Sequence, residues 1–143
     1  MAKKPAGKAS RLTDKDYRAL AQFRHALRQF LAFSEEAAAK AGLTPVQHQA
    51  LLAIKGMPGT GQVSVGDLAQ WLGVRHHSCV ELVERLEAQD LVMKYPDPDD
   101  RRRVFLKLSV RAERKLATLS AVHRDELRRR SGALGLLLAA IRQ

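Results

Sequence analysis

Apolar residues recur along most of this chain at helical spacing, and the period changes to alternation in one short stretch. Leu20, Phe23, Leu27 and Phe30 follow one another at 3-4-3 intervals and form one stripe of a long first helix. Thr13 with Asp16 makes a capping-box pair that opens it, Ala-rich sequence carries it to about Lys40, and Gly42 stops it. Thr44-Pro45-Val46-Gln47 opens a second helix by a cap hydroxyl, a proline at the first position and a glutamine three residues after the cap. That helix runs to about Lys55. Ser64 and Asp67 repeat the capping box ahead of Val65, Leu68, Ala69 and Leu72, and Gly73 closes the segment. From about Arg75 a further helix places Cys79, Leu82, Val83 and Leu86 at i, i+3, i+4 and i+7.

A two-turn helix, a glycine-containing turn and a longer amphipathic helix are the parts of a helix-turn-helix. Directly downstream the period becomes two. Leu91–Tyr95 and Arg103–Leu108 are short β-type runs flanking a turn-rich tip, Pro96-Asp97-Pro98-Asp99-Asp100, and the arginines Arg101, Arg102 and Arg103 are consecutive. Val104, Leu106 and Leu108 alternate with Arg103, Phe105 and Lys107, which predicts one apolar face and one mostly basic face. Ser109 is placed to cap a long helix bearing Leu116, Leu119 and Val122. Ser131-Gly132 predicts a break before a last helix with Leu134, Leu137, Leu138 and Ile141.

The fold class is therefore mostly α: a winged helix-turn-helix lobe over about residues 44–109 with a β-hairpin wing, and helices over about 13–41 and 110–143. These terminal helices carry apolar stripes with little to cover them in one small chain. Pairing with a second copy in a two-fold homodimer covers them and makes a dimerisation lobe; packing of the end helices within one chain is the alternative. Residues 1–12 are small and basic and read as a disordered arm, with no apolar run of the kind a secretory signal has. Residues 13–143 read as one domain, long enough for its own core.

Charge narrows the partner. Lys and Arg number 25 against 15 acidic residues, a net charge of +10 on 143 residues, which points to a polyanion: nucleic acid before an anionic membrane face. The longest apolar candidate, Ala133–Ile141, falls short of the ~18–20 residues a membrane span needs. One cysteine, Cys79, excludes an intrachain disulfide and a cysteine-based metal site and suits a reducing cytoplasm. The Gly56–Gly61 loop is followed by Gln62 and Val63 in place of the Lys-Ser/Thr of a phosphate loop. No nucleophile–base pattern or metal-ligand spacing is found, so the reading is a non-enzyme without cofactor or metal. Adjacent His76 and His77 point about 100° apart on a helix and do not chelate as an i, i+4 pair would.

With Cys79, Leu82, Val83 and Leu86 facing the core, the N-terminal end of the second helix of the helix-turn-helix enters the major groove of duplex DNA. His76, His77, Ser78 and Glu81 are then the candidates for base edges, with Arg75 on a phosphate or a guanine. Glu81 either accepts from cytosine N4 or is an ordinary helix-surface residue. Acidification adds charge to His76 and His77 and strengthens DNA binding. Arg101 and Arg103 are candidate phosphate clamps. Asp100 either braces Arg102 by an ion pair or forms the turn with a solvated carboxylate.

Leu43-Thr44-Pro45-Val46-Gln47, Leu68-Ala69-Gln70-Trp71-Leu72-Gly73-Val74, the run Leu82–Val92, and Asp100-x-Arg102 with Leu108-Ser109 together resemble the MarR family of bacterial winged-helix transcription regulators. The resemblance covers about Thr13 to the end, and the wing signature is its most specific part. The family often has a polar residue at Val80, a basic one at Glu81 and Thr at Ser109. The resemblance implies a homodimeric repressor on a pseudo-palindromic operator. It implies minor-groove entry by Arg102, with which the negative potential of a narrow groove agrees. It also implies release by a small aromatic or phenolic ligand near the first and second helices, where His25 and His48 are the polar candidates. The competing class is a basic architectural or RNA-associated protein that binds nucleic acid by charge alone. RNA recognition calls for exposed stacking aromatics, and the few aromatics here mostly fall at core-like spacings.

Overall fold

The computed structural model describes residues 11–59 and 61–142. Their elements run α1 (Asp14–Lys40), α2 (Pro45–Gly56), β1 (Val63–Ser64), α3 (Val65–Leu72), α4 (His76–Ala88), β2 (Val92–Pro96), β3 (Val104–Leu108) and α5 (Val110–Ile141). The architecture is the expected mostly helical winged helix. Residues 1–10 of the expected basic arm lie outside the described residues.

Side-chain caps set most of the helix starts. Thr13 and Asp16 exchange bonds at the head of α1, the Thr13 N–H donating to Asp16 Oδ2 at 2.8 Å. Thr44 and Gln47 close a capping box on α2, and Ser64 and Asp67 close one on α3. Gly73 ends α3 in the left-handed region at φ 68°, where a Cβ is penalised. The Ser109 hydroxyl ties two elements together: it donates to the Asp90 carbonyl at 2.7 Å and accepts the Ala112 N–H at 3.0 Å. It thus caps α5 while pinning the turn before β2, where Asp90 itself has φ 57°.

Contacts divide the chain into two compact units. One comprises Ala32–Asp125; the other comprises the chain up to Leu31 together with Glu126 onward, so α1 and α5 contribute to both. The first unit holds the hydrophobic core, in which Leu51, Leu68, Cys79, Val83, Leu86 and Leu91 are almost wholly buried. In the second unit Ala19 is buried, and buried Glu126 accepts from Arg129 and Arg130. Arg130 also donates to Gln29 at 3.1 Å.

Three features depart from the sequence pattern. A short strand, β1, precedes α3 and makes the wing a three-stranded antiparallel sheet ordered β1-β3-β2, with Val63 opposite Leu106 and Ser64 opposite Phe105. The expected break at Ser131-Gly132 is absent: α5 is one helix of 32 residues. A lone glycine costs a helix only about 1 kcal/mol, and the Ser131 hydroxyl bonds back to the Arg128 carbonyl instead of interrupting the ladder. Phe105, expected on the basic face of its strand, is buried, because Tyr95 lies across from it with ring centroids 5.5 Å apart and the Arg103 guanidinium covers it at 5.4 Å.

Candidate nucleic-acid interface

The helix-turn-helix is formed by α3 and α4. Cys79, Leu82, Val83 and Leu86 turn inward, and His76, His77, Ser78 and Glu81 stay exposed, with Arg75 exposed at the N-cap. Arg75 makes no side-chain cap bond, so the first turn of α4 keeps N–H groups open to an anionic partner. Cys79 donates to the Val65 carbonyl at 3.6 Å and joins the two helices; burial pushes its thiol pKa up. It is a packing residue in the core.

The hairpin of β2 and β3 is fastened at its tip by short-range bonds. The Asp97 N–H donates to the Arg103 carbonyl at 3.1 Å, the Arg103 N–H to the Asp100 carbonyl at 3.0 Å, and the Asp99 N–H to Asp97 Oδ1 at 2.8 Å. Asp100 Oδ1 accepts the backbone N–H of Arg102 at 3.0 Å. Its carboxylate is thus a turn former, and among the described residues no ion pair joins it to the Arg102 guanidinium. Arg101 and Arg102 are exposed at the tip.

Arg103 behaves differently from its two neighbours. Its guanidinium lies 3.4 Å from Asp67 Oδ2 and sits over the Phe105 ring, so the wing base is tied to the head of α3. Asp67 also caps α3, and its carboxyl is held below the ordinary range chiefly by the Ser64 backbone N–H, with the Ser64 hydroxyl and Arg103 assisting. A sequence pattern had no means of showing this pairing across 36 residues. Lys94 on β2, also not singled out, pairs with Glu87 at 3.2 Å.

These elements border an open concavity of about 520 Å³. His76 and Val80 of α4 line it with Asp100, Arg102 and Arg103 of the wing, and Lys94 and Asp67 complete its wall. Of the expected contact residues, His76, Asp100, Arg102 and Arg103 line this cleft, whereas Arg75, His77, Ser78, Glu81 and Arg101 lie outside its lining.

The two histidines expected near an effector are not brought together in one compact unit. His25 is exposed on α1 in the unit ending at Leu31, while His48 on α2 is buried in the other unit and faces His123 of α5. Burial holds the His48 pKa below its ordinary value, with the neighbouring His123 adding to the effect. Among the described residues no group of three or more His, Cys, Asp or Glu side chains could hold a metal ion, and no helix is long and apolar enough to cross a membrane.

A recognition helix with an exposed N-terminal end beside a basic β-hairpin defines a winged helix-turn-helix protein of the DNA-binding class. The sequence profile of the MarR family matches residues 41–103. The HTH-type transcriptional repressor NicR of Pseudomonas putida is 31% identical over 113 residues, covering 76% of this chain and 70% of NicR. The chain belongs to the MarR family of transcriptional regulators. Solved structures share the fold: a regulator, Tm0710, from Thermotoga maritima is 28% identical with a TM-score of 0.59, over 78% of this chain and 80% of that one. An S. aureus MepR variant bound to an oligodeoxyribonucleotide is 20% identical with a TM-score of 0.65, over 86% and 84%.

Proposed function

We propose that the chain is a cytoplasmic, sequence-specific homodimeric repressor that places α4 in the major groove of a pseudo-palindromic operator. Its carrying observation is the cleft that joins His76 and Val80 to Arg102 and the wing base. In this reading His76, His77, Ser78 and Glu81 face base edges, Arg75 and Arg101 meet phosphates, and Arg102 enters the minor groove. Asp100 sets the turn that aims Arg102, and Arg103 fixes the wing to α3. The exposed Tyr17, Leu20, Leu27 and Leu31 of α1 and Leu127 and Leu138 of α5 give a second copy an apolar surface to cover. Relief by a small aromatic or phenolic ligand, with His25 or His48 as polar contacts, completes the proposal; the NicR name supports the repressor role.

Selection from a random duplex pool tests it without knowledge of the operator. The proposal predicts enrichment of a two-fold sequence with half-site centres about 10 bp or a multiple apart. A pool that binds but does not converge would favour a charge-driven nucleic-acid module.

A further inference from the structure

Within the unit Ala32–Asp125, α1, α2 and α5 meet around two imidazoles that DNA contact does not use. His48 of α2 is 5% exposed, and its ring centroid lies 4.8 Å from that of His123. His123 is held by both ring nitrogens. Nδ1 faces the Leu119 carbonyl at 2.6 Å and must carry the proton, since a carbonyl only accepts; in the neutral ring, Nε2 then accepts the Ser34 hydroxyl at 2.8 Å. Phe33 of α1 packs edge-on to the same ring, 5.5 Å between centroids.

Among the described residues, the charged group acting on His48 is His123 of α5, itself a potential cation, which opposes a charge there. From α1, Ser34 and Phe33 contact His123, and both are neutral. Its own helix has no charged residue from Pro45 to Ile54. An unpaired buried charge is costly, so the ring stays neutral until acid is strong enough either to protonate it in place or to favour opening of the junction to water. What opens is functionally placed, because α2 packs on α3 of the helix-turn-helix and on β3 of the wing.

We propose that the His48–His123 contact is a pH-operated latch, closed while His48 is neutral, which releases α2 from α5 when His48 takes a proton and so lowers DNA affinity. The second half rests on the DNA-binding reading above. The sign follows from burial: the folded protein binds this proton less readily than the unfolded chain, so stability at the junction declines as pH falls below the ordinary imidazole value of 6.5.

Amide hydrogen exchange of the DNA-free protein reads the latch directly, and binding to a selected duplex reads its consequence. Between about pH 7.5 and pH 5.5, after correction for intrinsic rates, α2 amides should exchange faster by up to about tenfold, the ceiling for one imidazole. His48→Phe keeps an aromatic ring without a proton site and should abolish the change; His48→Gln serves if Phe does not pack. Unchanged α2 protection in the wild type, or the same acid response in the folded variant, overturns the latch. Opening of α2 without weaker duplex binding, relative to the variant at the same pH, overturns its control of DNA. Because exchange is measured without DNA, failure of the DNA-binding reading leaves the latch test intact.

Discussion

Replacing Asp67 with asparagine removes the charge that holds Arg103 while leaving an oxygen to cap α3. The two side chains are 37% and 48% exposed and 3.4 Å apart, so their pairing belongs to the screened range of about 0.2–1 kcal/mol. With the weakened bond from the Ser64 N–H at the N-terminus of α3 added, Asp67→Asn should cost about 0.5–2 kcal/mol. Arg103→Ala loses the same contact and the cation–π contact over Phe105, worth about 0.5–1 kcal/mol, so about 1–2 kcal/mol in total. In a double-mutant cycle by urea denaturation the two changes should couple by about 0.5 kcal/mol. The DNA readout is sharper. An arginine on a phosphate contributes about 0.9 to the slope of log K against log salt for each contact. Arg101→Ala should remove roughly that much per wing, whereas Arg103→Ala should weaken binding with a change well below half of it. Arg103→Ala lowering the slope as much as Arg101→Ala, with no coupling to Asp67, would refute the assignment of Arg103 as an anchor.

Other perturbations follow from the packing. Leu86→Ala empties a site of zero exposure and should cost about 2–5 kcal/mol in urea denaturation, and a loss below 1 would mean the core collapses onto the gap. Gly132→Ala should raise stability by about 1 kcal/mol, because α5 is continuous there and an added Cβ meets nothing within 4 Å; a loss would restore the expected break. In acid, protonation of Asp67 should erode stability. Its folded pKa lies below the ordinary 3.8, so its contribution is present above that value and lost as pH falls through the folded one, and Asp67→Asn should flatten this limb of an acid titration. Leu20→Lys with Leu27→Lys should shift sedimentation to the monomer, and an unchanged dimer would place the interface elsewhere.

What could be read from the sequence was local. Capping boxes at Thr13, Thr44 and Ser64, the turn glycine Gly73 and the inward stripe of α4 each depend on residues within two turns of one another, and all formed as the spacing implied. Features set by distant partners were not legible. Phe105 reads as a surface position by alternation, yet Tyr95 and Arg103 cover it. β1 is two residues long and exists because β3 passes beside it. Arg103 could not be told from Arg101 until Asp67 was seen next to it, and nothing near His48 in the chain announces His123. Ser131-Gly132 was misleading because its breaking tendency is weak against the helical preference of the residues around it.

Whether α4 and the wing read a sequence is decided by binding of a selected duplex and a scrambled duplex of equal length across a salt series. A sequence-reading protein should prefer the selected duplex by about 10³-fold or more, and the preference should fall sharply in Arg102→Ala and His77→Ala. Equal binding to both duplexes, declining steeply with salt and indifferent to His77→Ala, would contradict it.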